Sequence, residues 1–447
     1  MQRLESYCHE LLSECLKSEL ENIEVYGNVI KNTEVGIVNG KIIDYKISEK
    51  IGVHLQGEYQ GGIGEYYLEN IDNSLFPQII CEIKEIAEAT NDKGKRNVWL
   101  YDGGNECRKR IDSSTKMNNM NLLENIDKVI ELFQNITNKE AFVREYEIHI
   151  TISKENIVIA NSRGLSVSSV ADLGVLTCNI NMEKDNDIET GFDVTVFKDI
   201  SESLFSRFIN SLIGEIQNKF YKAEVICGEQ TVILGYKVMA DLLAGFQSIF
   251  CACPSENSKS LLMGKEGHVI FSNFVTITDD PHIEYNMKYF DGEGMPTEKI
   301  QIVTEGRLNT LLYNQSTAVR MGRKTTGHAV RNFEGEIGVG PSNLYINSGC
   351  VTLDKMVRNL KDGVLVTEIE DIYAGVNVTT GDFSCPCEGL VIQNSKIIGS
   401  TGIFLISGNF LDVLRNVIYV GEDFNWRFMY GAFGSPSIMV EKIRIER

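Results

Sequence analysis

Apolar residues recur at three- and four-residue steps from the start of the chain, at Leu4, Tyr7, Cys8, Leu11, Leu12, Cys15 and Leu16. This spacing predicts an amphipathic helix with one buried face. Next, 23–30, 35–38, 41–47 and 51–55 alternate around Gly and Asn, which predicts a meander of short antiparallel strands. A second helix follows on the stripe Ile79, Ile80, Ile83, Ile86 and Ala87. The interval 90–121 has the polar, turn-rich composition of a connection around one short apolar strand at 98–101, so the first boundary is placed there. Leu122, Leu123, Ile126, Val129, Ile130 and Phe133 form the next helical stripe, after which 142–153, 157–160 and 165–181 alternate as strands. Asn161-Ser162-Arg163-Gly164 reads as a hairpin turn with Gly164 at positive φ. A long helix over 201–220, apolar at Leu204, Phe205, Phe208, Ile209, Leu212, Ile213 and Ile216, closes this region.

A C-terminal domain begins near Ala223, with a strand over 229–234 and a helix over 236–250. Its most informative stretch runs from Asp279 to Arg331. Asp279-Asp280-Pro281 and Asp291-Gly292-Glu293-Gly294-Met295-Pro296 are turn chemistry: Asp bonds nearby backbone, Gly supplies positive φ, and Pro fixes φ. Strands over 300–303 and 308–313 are joined at Glu305-Gly306, and a short helix over 315–321 ends at Gly322. The expected class is α+β, with an N-terminal α+β domain (1–100), a central strand and helix region (101–222) and a larger β-rich C-terminal domain (223–447). No internal repeat or low-complexity segment is found.

Composition narrows the function. At 447 residues two or three domains are expected, and 43% hydrophobic with 23% charged residues is globular composition. No apolar run is long enough to span a bilayer, and charges interrupt the first twenty residues, so a cytoplasmic protein without membrane association is expected. Eleven Cys then read as reduced thiols. A net charge of −19 repels a phosphate backbone, which argues against direct nucleic-acid binding.

The Asp-Asp-Pro turn, the Asp-Gly-Glu-Gly-x-Pro turn, the strand with its Glu-Gly hairpin and the later Thr325-Thr326-Gly327-His328-Ala329-Val330-Arg331 resemble the C-terminal domain of the TldD/PmbA family, which includes "modulator of DNA gyrase" proteins and subunits of a peptide-processing metalloprotease. The Asn161 to Gly164 turn is similar to one in the family's central region. The catalytic TldD-type subunit carries a His-Glu-x-x-x-His helix early in this domain, and the corresponding helix here, GYKVMADLLAGFQSIF, contains neither His nor Glu. Its Val238, Met239, Leu242, Leu243, Phe246, Ile249 and Phe250 make a core stripe. The family's further zinc ligand, a Cys near the C-terminus, should fall within NWRFMYGAFGSPS, yet no Cys follows Cys387. The resemblance is therefore to the PmbA branch, also called TldE. It implies a non-catalytic subunit, inactive alone, that joins a TldD-like catalytic subunit as a heterodimer around unfolded peptide, with zinc in the partner and no cofactor in this chain.

The residues themselves agree. The six His are dispersed, the closest pair being His268 and His282, fourteen residues apart, so no helix presents a local pair. Cys251/Cys253 and Cys385/Cys387 can together offer four thiolates to a structural zinc, but one intervening residue is shorter than the usual spacing, and Pro-bounded turns are the simpler reading. Asp279 and Asp280 can be written as an acid/base dyad, although adjacent side chains of an extended segment diverge; Asp291 and Glu293 are judged alike. There is no Gly-x-Ser-x-Gly elbow and no Walker loop. By resemblance, Gly381-Asp382-Phe383 and Ser407-Gly408-Asn409-Phe410 lie around a peptide cleft, against the alternative of close-packed turns. Catalytic and metal-binding residues are expected to be none; the groove or interface candidates are Asp279, Asp280, Asp291, Gly292, Gly294, Gly381, Asp382, Phe383, Gly408 and Asn409. Two other readings stay open: a homodimeric binding or scaffold protein without a protease partner, and an independent hydrolase with an unrecognised site.

Overall fold

The computed structural model describes residues 2–90, 98, 100–103, 108–113, 122–252 and 260–447. Strand pairing runs through the polar stretches 31–34 and 48–50 that local pattern reads as breaks. Where four short strands are expected, the chain forms two long ones, β1 (Glu21–Val38) and β2 (Lys41–Tyr59), joined at Asn39-Gly40. Gly27 inside β1 admits helix α1 (Gln2–Leu16), because a Cβ there would stand 2.7 Å from Cys8 Sγ. β3 (Gly62–Leu68) extends the sheet beyond the expected elements, and α2 (Phe76–Ala89) follows. The helical stripes hold except at their edges, where Leu16 and Ile86 are exposed.

The described residues of the expected 98–101 strand are not in a strand; β4 (Arg108–Asp112) forms instead. After α3 (Leu122–Thr137), β5 (Val143–Asn161) is one strand where two are expected. It turns at Gly164, with φ +97°, into β6 (Ser166–Lys184), and β7 (Asp187–Phe197) then adds an element that the pattern does not single out. The Asn161 carboxamide oxygen accepts from the Arg163 and Leu165 N–H groups, which fixes this turn. α4 (Glu202–Lys219) starts at an N-cap, Ser201.

These strands form a single sheet in the order β3-β2-β1-β5-β6-β4, with β7 also paired to β6, so the sheet runs through both 1–100 and 101–222. One face is covered by α1 and α2 over Val25, Val53 and Val158, and further along by α3 and α4 over Val35, Ile148 and Leu176. The opposite face carries Tyr26, Ile159, Leu165 and Val167 against Phe290 of the C-terminal domain.

In that domain β8 (Gly228–Leu234) belongs to a closed ring of strands, running 363–369, β8, 438–446, 404–409, 382–393 and back to 363–369. A second sheet orders 307–308, 300–304, β9 (Ile277–Asp279), 344–346, 433–435 and 425–427. Helix α5 (Tyr236–Gly245) lies between the two, and every residue from Lys237 to Gly245 is buried, so it is enclosed all round and not along one stripe. It ends at Gly245 and a 3-10 turn, Gln247–Phe250, replaces its expected last turn. The strand expected over 308–313 shrinks to Arg307–Leu308, after Glu305 and Gly306 at φ +48° and +77°. Cys385 and Cys387 lie within the strand Asp382–Gln393, correcting the expected turn; both thiols are buried and free, and Cys253 falls outside the described residues.

Candidate functional site

Helix α5 and the C-terminal stretch that begins at Asn425, the two segments in which metal ligands are sought, are spatial neighbours. Lys237 and Asp241, four residues apart and so on one helix face, are the charged groups that α5 presents. The Lys237 ammonium meets Asp193 of β7 at 2.9 Å, Glu215 of α4 at 2.8 Å and Glu368 at 3.7 Å. Arg427 donates to Asp193 and to Glu368 at 2.6 Å each, and reaches Asp241 only at 3.4 Å. Asp241 Oδ2 has no hydrogen-bond partner among the described residues.

Burial opposes the charge of Lys237 and Arg427, but the surrounding carboxylates outweigh it and hold both pKa values above their ordinary range. Burial pushes Asp241 up to about 7 against the pull of Arg427, and it likewise raises Glu368. This is an ion network across the junction between the two halves of the chain. It does not suit zinc: a water-activating zinc site takes imidazole, thiolate or carboxylate ligands with one open position, whereas an ammonium and a guanidinium stand here. Among the described residues, no three His, Cys, Asp or Glu side chains are grouped to hold a metal ion. Glu215, Glu368 and Arg427 also border a cavity of about 790 Å³ between the halves.

A second cluster gathers the expected turn residues. Asp279 is fully buried: its Oδ1 accepts from the Ser342 and Asn343 N–H groups at 2.9 and 2.8 Å, and its Oδ2 lies 3.0 Å from His328 Nε2. His328 Nδ1 faces the Thr326 carbonyl oxygen at 2.7 Å. Both ring nitrogens are thus engaged, Nδ1 by Thr326 and Nε2 by Asp279, and neither is presented to a substrate. Asp280 turns away to the His282 N–H and to Lys299, both at 3.0 Å, so the two carboxylates share no site.

The Asp291 carboxylate accepts from the Glu293, Met295 and Ala329 N–H groups, which is the turn chemistry expected, but the turn is buried, and so is Glu293. Burial raises the pKa of both; the charge of Asp291 adds to the effect on Glu293. Arg331 donates to the carbonyl oxygens of Gly292 and Gly335, pairs with Glu24 of β1, and stacks on Tyr26 at 4.8 Å. Gly294, at φ +78°, sets the turn against Leu165.

The remaining candidates form a third place. Asp382 pairs with Asn409 and Phe383 with Gly408 across adjacent strands, the Asn409 side chain donates to Asp382 at 2.9 Å, and Gly381 supplies φ +84° beside them. Asn409 also caps the helix Phe410–Arg415. None of these five lines either of the cavities between the halves. Sequence reading does not single out Glu24, Asp193, Lys237, Asp241, Glu368, His328 or Arg427 as interacting groups. A Lys and an Asp four apart in an otherwise apolar helix were the visible signal.

Residues 227–447 match the PmbA/TldA metallopeptidase C-terminal domain family. A metalloprotease PmbA homolog of Haemophilus influenzae is 23% identical over 292 residues, 64% of this chain and 62% of that protein. Metalloprotease PmbA of Escherichia coli is 24% identical over 273 residues, 60% of this chain and 58% of its own length. The match therefore spans about three fifths of each of these relatives. A metalloprotease of Methanothermobacter thermautotrophicus is 33% identical over 170 residues, 37% of this chain and 36% of that one. The structure of a candidate modulator of DNA gyrase from Thermotoga maritima has the same fold, with TM-score 0.85, 22% identity and 99% of both chains covered. TldE from Thermococcus kodakarensis gives TM-score 0.81 at 18% identity, covering 99% of this chain and 100% of that one. The chain, an α+β protein with a β-rich C-terminal domain, belongs to the PmbA/TldD family.

Proposed function

We propose that this chain is the non-catalytic, TldE-like subunit of a TldD-type zinc metalloprotease, a cytoplasmic companion that helps to enclose unfolded peptide while the partner holds the zinc and performs the hydrolysis. The observation that carries this reading is the ion network at α5. Where a catalytic subunit would present metal ligands, Lys237 and Arg427 hold positive charge and are already paired with Asp193, Glu215 and Glu368. A divalent cation brought there meets two like charges and must break several short ion pairs. The adjoining cavity of about 790 Å³ has room for a stretch of extended peptide.

The test is a reconstitution. The purified chain, a TldD-type subunit bearing the His-Glu-x-x-x-His helix, and their mixture are assayed on an unfolded peptide, each with and without chelator. Chelator-sensitive hydrolysis that needs the mixture, with no zinc in the isolated chain by elemental analysis, is the expected result. Chelator-sensitive hydrolysis by the isolated chain overturns the proposal. A mixture that neither associates nor cleaves overturns it too, in favour of a homodimeric scaffold.

A further inference from the structure

The face of the N-terminal sheet that meets the C-terminal domain encloses a second cavity, of about 390 Å³, with strand residues as its floor and the 286–292 and 328–342 segments as its roof. On the floor Asn28 of β1 sits beside Glu155 of β5, and its Nδ2 donates to Glu155 Oε1 at 3.1 Å and to the Tyr26 hydroxyl at 3.4 Å. Since a carboxylate accepts only, this bond fixes the orientation of the amide and leaves Asn28 Oδ1 as an acceptor. That oxygen has no partner among the described residues, on a side chain 4% exposed. A buried acceptor left without a donor is destabilising, so a bound donor is favoured there. Glu155 makes no ion pair among the described residues, and the rings of Tyr289 and Phe333 also line the cavity. The neighbouring Arg331 is committed to Glu24 and to the carbonyls of Gly292 and Gly335.

We infer that this cavity is a binding site for a primary ammonium group, held by the Glu155 carboxylate and Asn28 Oδ1 and flanked by aromatic rings. Three features converge on that chemistry: an uncompensated carboxylate, an adjacent acceptor without a donor, and aromatic faces that attract cations. The volume takes one flexible side chain or a small amine and no folded segment. The source is either a free amine or a lysine side chain of a peptide. This site lies apart from the α5 network and does not depend on the protease reading.

The experiment titrates the full chain calorimetrically with N-acetyl-lysine-N-methylamide, with butylamine, and with N-acetyl-norleucine-N-methylamide, which has the same aliphatic stem and no ammonium. Saturable binding of the first two and none of the third is expected. Tighter binding of the lysine derivative than of butylamine assigns the site to peptide lysine, and the reverse assigns it to free amines. Glu155→Gln and Asn28→Leu should each weaken binding roughly tenfold or more, the loss of a charge-assisted hydrogen bond or of its neighbouring acceptor. Glu215→Gln, at the other cavity, should leave it unchanged. Equal binding of the norleucine derivative, no saturable binding of either amine, or wild-type affinity in a folded Glu155→Gln chain would overturn the inference.

Discussion

Arg331 and Glu24 form an ion pair between residues 307 apart, with side chains 1% and 5% exposed, and so tie the C-terminal domain to the central strand β1. Water cannot replace either partner. Glu24→Gln therefore leaves a buried guanidinium without its counter-charge and should lower unfolding stability by about 3–5 kcal/mol. The double variant Glu24→Gln/Arg331→Met removes both charges and should recover part of that loss. Urea denaturation of the three proteins checks this; a single-variant loss below about 1 kcal/mol, the range of exposed pairs, would show that the pair is solvated in solution.

Asp241 gives the α5 network a pH dependence with a definite sign. Burial, opposed by Arg427, puts its native pKa at about 7, well above the ordinary aspartate value. The folded state therefore keeps a proton that the unfolded state releases. The stability from this group is complete below about pH 4 and is lost as pH rises through about 7. Asp241→Asn keeps an acceptor near Arg427 and never ionises, so the variant should gain on the wild type as pH increases across that window. Denaturation midpoints measured in parallel over the pH range decide the matter, and two curves of the same slope would count against a protonated Asp241.

Buried Glu293 should behave in the same direction. Burial and the charge of Asp291 both hold its proton, so the stability it contributes declines as pH rises past the usual carboxylate range. Glu293→Gln can still accept the Gln315 N–H bond that Glu293 Oε2 takes at 2.8 Å. Alkaline destabilisation should be shallower in this variant, and a profile as steep as wild type would place the titration elsewhere.

Period and turn chemistry made the helices legible, together with the Asn161 to Gly164 turn and the Asp291 turn, because these are local. Strand lengths were not: the polar stretches 31–34 and 48–50 look like breaks, but pairing of β1 with β2 on one side and β5 on the other carries the ladder through. The apolar run of α5 announced a buried helix, but its charge environment is set by Asp193, Glu368 and Arg427, which arrive from distant strands. Nothing in local spacing could pair Glu24 with Arg331. The lack of His and Glu in the 235–250 helix segment and of any Cys after Cys387, by contrast, was plain from residue identity alone.

Two glycines separate conformational need from mere presence. Gly294 adopts φ +78° and a Cβ there would lie 2.5 Å from Leu165 Cδ2, so Gly294→Ala should cost about 1–2 kcal/mol for the left-handed backbone and more for the collision. Gly214, inside α4, has open space within 4 Å of where a methyl group would sit, and no unusual φ. Gly214→Ala should stabilise by about 0.5–1 kcal/mol through helix propensity. Thermal unfolding of both variants checks the contrast, and a tolerated Gly294→Ala would mean that the turn rearranges.

Lys237 supplies the sharpest comparison of burial with exposure. Its ammonium, 5% exposed, faces carboxylates from β7, α4 and the strand Gly363–Ile369, so Lys237→Met leaves Asp193 and Glu368 repelling one another with Arg427 as their remaining cation. A loss of about 3–5 kcal/mol is expected, discounted at Glu215, whose 41% exposure lets water replace the pair. Lys17→Met breaks a pair with Glu14 whose side chains are 66% and 46% exposed and should cost no more than about 1 kcal/mol. Because the Lys237 contacts join the two halves, its loss should also speed limited proteolysis between them, whereas Lys17→Met should not. Equal stability losses, or unchanged cleavage in Lys237→Met, would reduce the α5 network to a solvated surface cluster and remove the electrostatic reason for expecting zinc to be refused there.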